Sequence, residues 1–577
     1  MTNNVSYASN ILENFLLERF NSSLCDLLIN EKKSVGEMKD ALRWIKKSIF
    51  ISPDDYGPKG MLINYYYNKK DYDKALDVVQ ELFELNPYRS GIWVDKGRIY
   101  EAMGEEDEAI RAYKRALQIN PNLFSERAKL RELEGKGSIY DYFEKKNVYP
   151  EISRALEAPL DENYNFEYVF YEENYVVYPG GAYNKYGTLC ARIFNQSGLD
   201  YWKESGVGYR NNEDLNIDKA EVVKKNGEKI RAEIKGNKIV FPSLEVGDAI
   251  YLVYKIDGYA LGRLSNEFWY EWFANSFTPI RHSVFRLMMP KDLAPQIVVK
   301  NLENDYKQEA VEDFVKYEWI IENPEVLKDE PYMPAFSELA KQVQVSTVES
   351  WDEIAEWYHY VGLSSAEEDI FVEDAYDAIF GENNYEKPVE KARAIYDYLC
   401  NNIRYSYVDF RQSGQIPQIP SQTITTQLGD CKDLATLYHV LAKKAGLETH
   451  LVLVTTRDNG EQNMLLPTDQ FNHAIIAIDL PEGRLFQELT DSKLPFGAMP
   501  NSNVNAQALV IPNNGELEQQ NDLINLPEHG WIKPVDHNNV SVSIEGTKLV
   551  VSNRMHAVGS EASIYRNYLA GLTQDRE

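Results

Sequence analysis

Cys431 is the residue on which chemistry would turn. It opens a stretch in which Leu434, Leu437, Tyr438, Leu441, Ala442 and Ala445 recur at helical spacing, and Gly446 supplies a helix end. Asp430 stands just before this helix as an N-cap, with Asp433 three residues later near a capping-box position. A thiol there meets unpaired N–H groups and the positive end of the helix dipole, both of which favour thiolate. The same N–H groups can receive the oxyanion of an acyl-transfer intermediate. A cysteine at a helix start is often only a small hydrophobe, so the thiol needs partners before it counts as a nucleophile.

Candidate partners follow in chain order. Glu448–Thr455 reads as a strand, and Phe471-Asn472-His473-Ala474-Ile475-Ile476 opens another. Pro481-Glu482-Gly483 turns the chain, and a neighbouring strand from Arg484 ends in Gln487-Glu488-Leu489-Thr490-Asp491. A cysteine on a helix start, a histidine on a strand and a carboxylate near the next strand's end can form a nucleophile, its base and the group that orients the base. Hairpin register centred near Glu482 sets Asp491 opposite His473. His439 is two helical turns from Cys431, about 12 Å along the axis. His450 begins the earlier strand, and Gln427 is an upstream candidate oxyanion donor. All three are weaker candidates. Cys400 sits beside the apolar stripe Val389, Ala392, Ile395, Tyr396 and Leu399 of a helix starting at Pro388 and reads as structural.

Gly429-Asp430-Cys431 and Asn472-His473-Ala474, in this order and on these element types, resemble the transglutaminase-like superfamily of papain-like thiol enzymes. The resemblance covers about residues 350–510. It implies an α+β core in which Cys431 is the nucleophile, His473 the base and a carboxylate the orienting member. The family usually carries Asp-Pro-Thr-Asp where this chain has Glu488-Leu489-Thr490-Asp491, so family position points to Glu488 and leaves Asp491 as the alternative.

Other elements surround this core. In the N-terminal third, Ala41, Ala75 and Ala109 recur at 34 residues, as do Pro53, Pro87 and Pro121. The unit from Trp93 through Gly97, Tyr100, Gly104 and Tyr113 to Pro121 resembles a tetratricopeptide repeat. This predicts three helix pairs over 19–136, an α-solenoid able to bind a protein or peptide partner, after a tail at 1–18. Between 137 and 345 short Val-, Ile- and Tyr-rich segments separated by turn residues predict an antiparallel β-sandwich, with hairpins at Asn226-Gly227 and Gly236-Asn237. The motifs there resemble a bacterial β domain of unknown function that often precedes such cores. The aromatic run Phe268–Phe273 reads as core packing. A polar linker runs from Asp409 to Leu428. The thiol core is expected over 346–512, and 513–577 resembles the opening of a further β domain that breaks off, so the chain reads as a fragment.

Composition excludes several classes. Lys plus Arg is 61 against 90 for Asp plus Glu, a net charge of −29, which repels phosphate backbones; no nucleic-acid partner is expected. No apolar run is long enough for a transmembrane helix, and no signal peptide is visible; the compartment stays open, cytoplasmic if the N-terminus is native, with the periplasm or export as the alternative. The sequence has no CxxC, HExxH, GxxxxGK[ST] or GxSxG motif, so no metal or cofactor is expected. Two functions stay open: thiol-dependent acyl transfer or hydrolysis on protein or peptide amides, and a non-catalytic adaptor whose core is vestigial.

Overall fold

The computed structural model describes residues 2–143, 147–260, 262–303, 306–383, 385–406, 414–513 and 522–571. Three helix pairs occupy the repeat interval: Ser22–Ser34 with Met38–Ile51, Tyr56–Asn68 with Tyr72–Leu85, and Ser90–Met103 with Glu106–Ile119. Ala41, Ala75 and Ala109 are fully buried between their helices. At Gly97 a Cβ would meet the Tyr113 ring at 2.9 Å, so only glycine admits that ring. Gly104 closes its helix at φ +83°. Residues expected to be a tail instead form the helix Thr2–Glu18, whose Leu16 is buried against Cys25, Leu28 and Trp44 of the first pair. The apolar side of that first pair would otherwise face water. A further helix, Phe124–Leu133, follows the array, and its Arg131 pairs with Glu312 of the β region at 2.9 Å.

The β region is built on an eight-stranded sheet. Its spatial order is Lys307–Val311, Phe314–Glu322, Ile280–Pro290, Phe166–Val177, Ala182–Ile193, Ala249–Tyr259, Glu213–Val223 and Lys229–Arg231. The sheet departs from the antiparallel expectation in one place: Phe166–Val177 and Ile280–Pro290 pair in parallel. The long intervening connection permits this, as a tight hairpin would not. Two three-stranded sheets pack on one face. One comprises Gln296–Lys300, Gln342–Ser346 and Trp269–Phe273; it encloses Trp272, Phe285, Leu287 and Trp319. The expected hairpins form, with Gly227 at φ +86° and Gly236 at φ +62°. The aromatic run is largely core, with Trp272 fully buried.

The third region has a five-stranded antiparallel sheet in the order Gly483–Gln487, His473–Leu480, Glu448–Thr455, Gln507–Val510 and Ile524–Asn525. The last strand lies beyond the boundary expected at 512, because it completes the edge beside Gln507–Val510. The helices Trp351–Leu363, Ile370–Phe380, Pro388–Asn402 and Cys431–Lys444 cover one face, with Ile395, Tyr396, Leu437, Tyr438 and Leu441 among the buried side chains. The polar linker is not uniform: its first part, 409–413, lies outside the described residues, and Pro420–Thr426 is a short helix. Beyond the core, Val535–Glu545 and Lys548–Val558 form a hairpin leading into the helix Ser560–Ala570.

Candidate active site

The helix carrying the thiol begins at Cys431, and its start is built by a reciprocal capping box. Asp433 N–H donates to Asp430 Oδ1 at 3.2 Å, and Asp430 N–H donates to Asp433 Oδ2 at 3.0 Å. The backbone N–H groups of Cys431 and Lys432, in the helix's first turn, have no acceptor among the described residues. Lys432 bonds to Asp430, so the cap carboxylate is buried with a cation beside it. Burial pushes the Asp430 carboxyl above its usual range, against the opposing effect of Lys432.

His473 starts its strand and meets Glu488, with Nε2 2.7 Å from Oε2. That leaves Nδ1 as the ring nitrogen not engaged by Glu488, and Cys431 is close enough to the imidazole to act on its proton affinity. Both partners are largely enclosed, with side-chain exposures of 13% for His473 and 4% for Glu488. Burial works against the imidazolium, but the Glu488 charge and the hydrogen bonds to Cys431 and Glu488 outweigh it and raise the His473 pKa to about 10. Burial likewise opposes the Glu488 carboxylate, yet His473 and Thr490 lower its pKa to about 2. The arrangement therefore favours an imidazolium–carboxylate pair beside Cys431.

Glu488 is held from all sides. Its Oε1 accepts from Leu489 N–H at 2.9 Å, Thr490 N–H at 2.8 Å and Thr490 Oγ1 at 2.7 Å, while Oε2 also accepts from Asn503 Nδ2 at 2.9 Å. Among the described residues Asp491 makes no hydrogen bond to His473. It caps a turn by accepting from Lys493 N–H at 2.9 Å and receives Asn567 Nδ2 at 3.1 Å. The observed register pairs Ile476 with Gln487, and the strand ends there. The chain then curls around the Glu488 carboxylate, so extrapolated hairpin pairing misses the contact.

Other candidates fall elsewhere. His439 is buried against Thr449 Oγ1 at 3.0 Å, and burial lowers its pKa to about 4. Gln427 is exposed and ends the short helix in left-handed backbone at φ 54°. Burial pushes the Cys400 thiol to about 11. His450 bonds Asp479 at 3.1 Å. Glu448, His450 and Asp479 bring potential ligand atoms within 4.8 Å of one another, but Arg484 already bonds both Asp479 oxygens.

Several supporting residues have no local sequence signal. Asn503 approaches from 15 residues beyond Glu488. Gln418 donates to Asp433 through both its backbone N–H, at 2.8 Å, and Nε2, at 2.6 Å. Gln415 Nε2 reaches the Asp469 carbonyl at 3.5 Å, so one loop contacts both the thiol helix and the segment before His473. The β region supports that segment as well: Gln344 Nε2 donates to Asn463 O at 2.6 Å, and Ser346 Oγ donates to Pro467 O at 2.6 Å.

Comparison with known proteins agrees with this architecture. Residues 379–487 match the transglutaminase-like superfamily, 91–123 the tetratricopeptide repeat, and 235–327 a Domain of Unknown Function family (DUF3857). The chain thus carries helical repeats, a β-rich region and a transglutaminase-like core. A crystal structure of a candidate protease from Parabacteroides distasonis aligns over 63% of this chain and 72% of its own, at 13% identity and TM-score 0.49. MamA aligns over 23% of this chain and 80% of its own, at 21% identity and TM-score 0.21. Anaphase-promoting complex subunit 3 of Dictyostelium discoideum is 25% identical over 123 residues, 21% of this chain; the match spans 13% of that relative's length. Among the described residues, no helix is long and apolar enough to cross a membrane.

Proposed function

We propose that Cys431, His473 and Glu488 carry out thiol-dependent acyl transfer or hydrolysis on protein or peptide amides. The observation that carries this reading is the enclosed His473–Glu488 pair with Cys431 close enough to act on the imidazole's proton affinity. In the proposed reaction the Cys431 proton resides on His473, and the resulting Cys431 thiolate attacks the amide carbon as the carbonyl electrons move to oxygen. The free N–H groups of the helix start stabilise that oxyanion. His473 donates its proton to the leaving amine as the carbon–nitrogen bond breaks, leaving a thioester. Water or a second amine then attacks the thioester, His473 takes the proton, and the thiolate departs. Glu488 holds the ring in place and stabilises its cation. The repeats supply a surface for a protein partner.

Alkylation with iodoacetamide, followed across pH for wild type and Cys431→Ser, tests this reading. Modification of Cys431 faster than that of the chain's other thiols is expected. Alkylation no faster than that of an ordinary thiol would favour the adaptor function instead.

A further inference from the structure

A cavity of about 470 Å³ lies where the β region meets the core. Gln470, three residues before His473, lines it, so the cavity adjoins the loop that delivers the candidate base. Trp269 belongs to the same wall and acts on the Asp469 carboxylate of that loop. Tyr175, Tyr183, Phe268 and Tyr270 continue the aromatic lining, and the Tyr175 and Tyr270 ring centroids are 4.5 Å apart.

Charge in this cavity is unbalanced. Lys185 is consumed by Glu173 at 2.5 Å, its ammonium 5.3 Å from the Tyr175 centroid and 5.5 Å from that of Tyr270. That buried group shows that the ring cluster accommodates an ammonium beside a carboxylate. Three further carboxylates in the lining, Glu213, Glu267 and Glu271, form no salt bridge among the described residues; burial raises the Glu271 carboxyl above its usual range, with Gln344 and the Lys300 charge acting against that. Their hydrogen bonds come from neutral donors: Tyr183 Oη and Arg210 N–H to Glu213, Thr347 Oγ1 to Glu267 at 2.6 Å, and Gln344 Nε2 to Glu271 at 2.9 Å. Arg210 is the other cation in the lining, and its charge acts on Asp469.

We infer that this cavity is a specificity subsite for a basic side chain, lysine or arginine, of the polypeptide substrate. The inference deepens the proposed thiol activity by naming a substrate class. Aromatic faces attract an ammonium or guanidinium, and unpaired carboxylates complete its coordination. A neutral sugar would also suit aromatic walls, but it would leave those charges uncompensated.

Binding is tested with full-length Cys431→Ala, which removes turnover, at about 0.15 M salt to screen the overall negative charge. The probes are fluorescein-labelled, doubly capped pentapeptides Gly-Gly-Xaa-Gly-Gly with lysine or norleucine at the centre, read by anisotropy. The lysine peptide is expected to bind about tenfold tighter. That preference should fall to within about twofold in Glu213→Gln/Glu271→Gln. Should that double variant fail to fold by circular dichroism, Trp269→Leu takes its place, with about a fivefold loss for the lysine peptide alone. Equal binding of the two peptides, or a preference unchanged in the variant, overturns the inference. So does displacement of the lysine peptide by maltohexaose in wild-type cavity and variant alike. Iodoacetamide reactivity of Cys431 is read separately: an inert thiol with an intact lysine preference would sink the catalytic reading and leave the subsite standing.

Discussion

The core sheet carries two histidine–carboxylate pairs on neighbouring strands, and they differ in what surrounds them. His450 meets Asp479 at 3.1 Å, and His473 meets Glu488 at 2.7 Å. Asp479 is half-buried, and its pKa falls mainly through hydrogen bonding to Arg484, so its charge is already answered. Glu488 is enclosed and has no arginine or lysine partner among the described residues; neutral N–H and O–H groups hold it, and its charge falls on His473. The second nitrogen of the His450 ring has no partner among the described residues, whereas the His473 ring also has Cys431, at a helix start, acting on it. A pair of this kind becomes a candidate site only when a third element reaches the ring. The contrast sets out what each substitution should do.

The largest effects belong to the thiol and its base. Cys431→Ala and His473→Ala should each lower turnover of a peptide amide by at least about 10³-fold, with the double variant no worse, because the two act as one unit. His450→Ala should stay within about twofold. Comparable losses at both histidines would erase the distinction between the pairs.

Next comes the carboxylate. Glu488→Gln should cost about 10²-fold in turnover, since the nucleophile and base survive but the ring loses its charged anchor. Asp479→Asn should change the rate by less than about twofold, and Asp491→Asn likewise. A crippling Asp491→Asn beside a silent Glu488→Gln would transfer the third role to Asp491.

The pH dependence of stability sharpens the comparison. His473 has a folded pKa near 10 against an ordinary 6.5, so its contribution is fully present below about pH 6.5 and is lost as pH rises through 10. Glu488 has a folded pKa near 2 against 4.5, so its contribution is present above about pH 4.5 and is lost as pH falls through 2. Thermal melting should therefore show greatest support from this pair between about pH 4.5 and 6.5. Glu488→Gln should flatten the decline above pH 6.5; an unchanged profile would deny the coupling.

A smaller effect is expected at the helix cap. Asp430→Ala should destabilise the core by about 2 kcal/mol, combining a lost N-cap with a buried Lys432 left unpaired. Denaturant titration reads this directly, and a change under about 0.5 kcal/mol would show that the cap is dispensable.

Much of this molecule is written in short stretches of sequence. The repeats are legible because Ala41, Ala75 and Ala109 solve the same local packing problem at a fixed period. The helix at Cys431 is legible because Asp430 and Asp433, three residues apart, satisfy each other's backbone. Glu488 could be named from its place in a family pattern, whereas pairing arithmetic pointed to Asp491. That arithmetic assumes a strand that continues, and this one stops at Gln487.

Sequence by itself determined the repeat helices, the thiol helix and the order in which thiol, imidazole and carboxylate appear, because propensity, capping and periodicity act over a few residues. Tertiary structure alone decided that Asn503 and Thr490 would hold Glu488, that one loop would link Asp433 to Asp469, and that Gln344 and Ser346 of the β region would support the segment before His473. Most of those contacts join residues far apart in the chain. Their partners are chosen by which surfaces the folded layers bring together, and no local pattern encodes that choice.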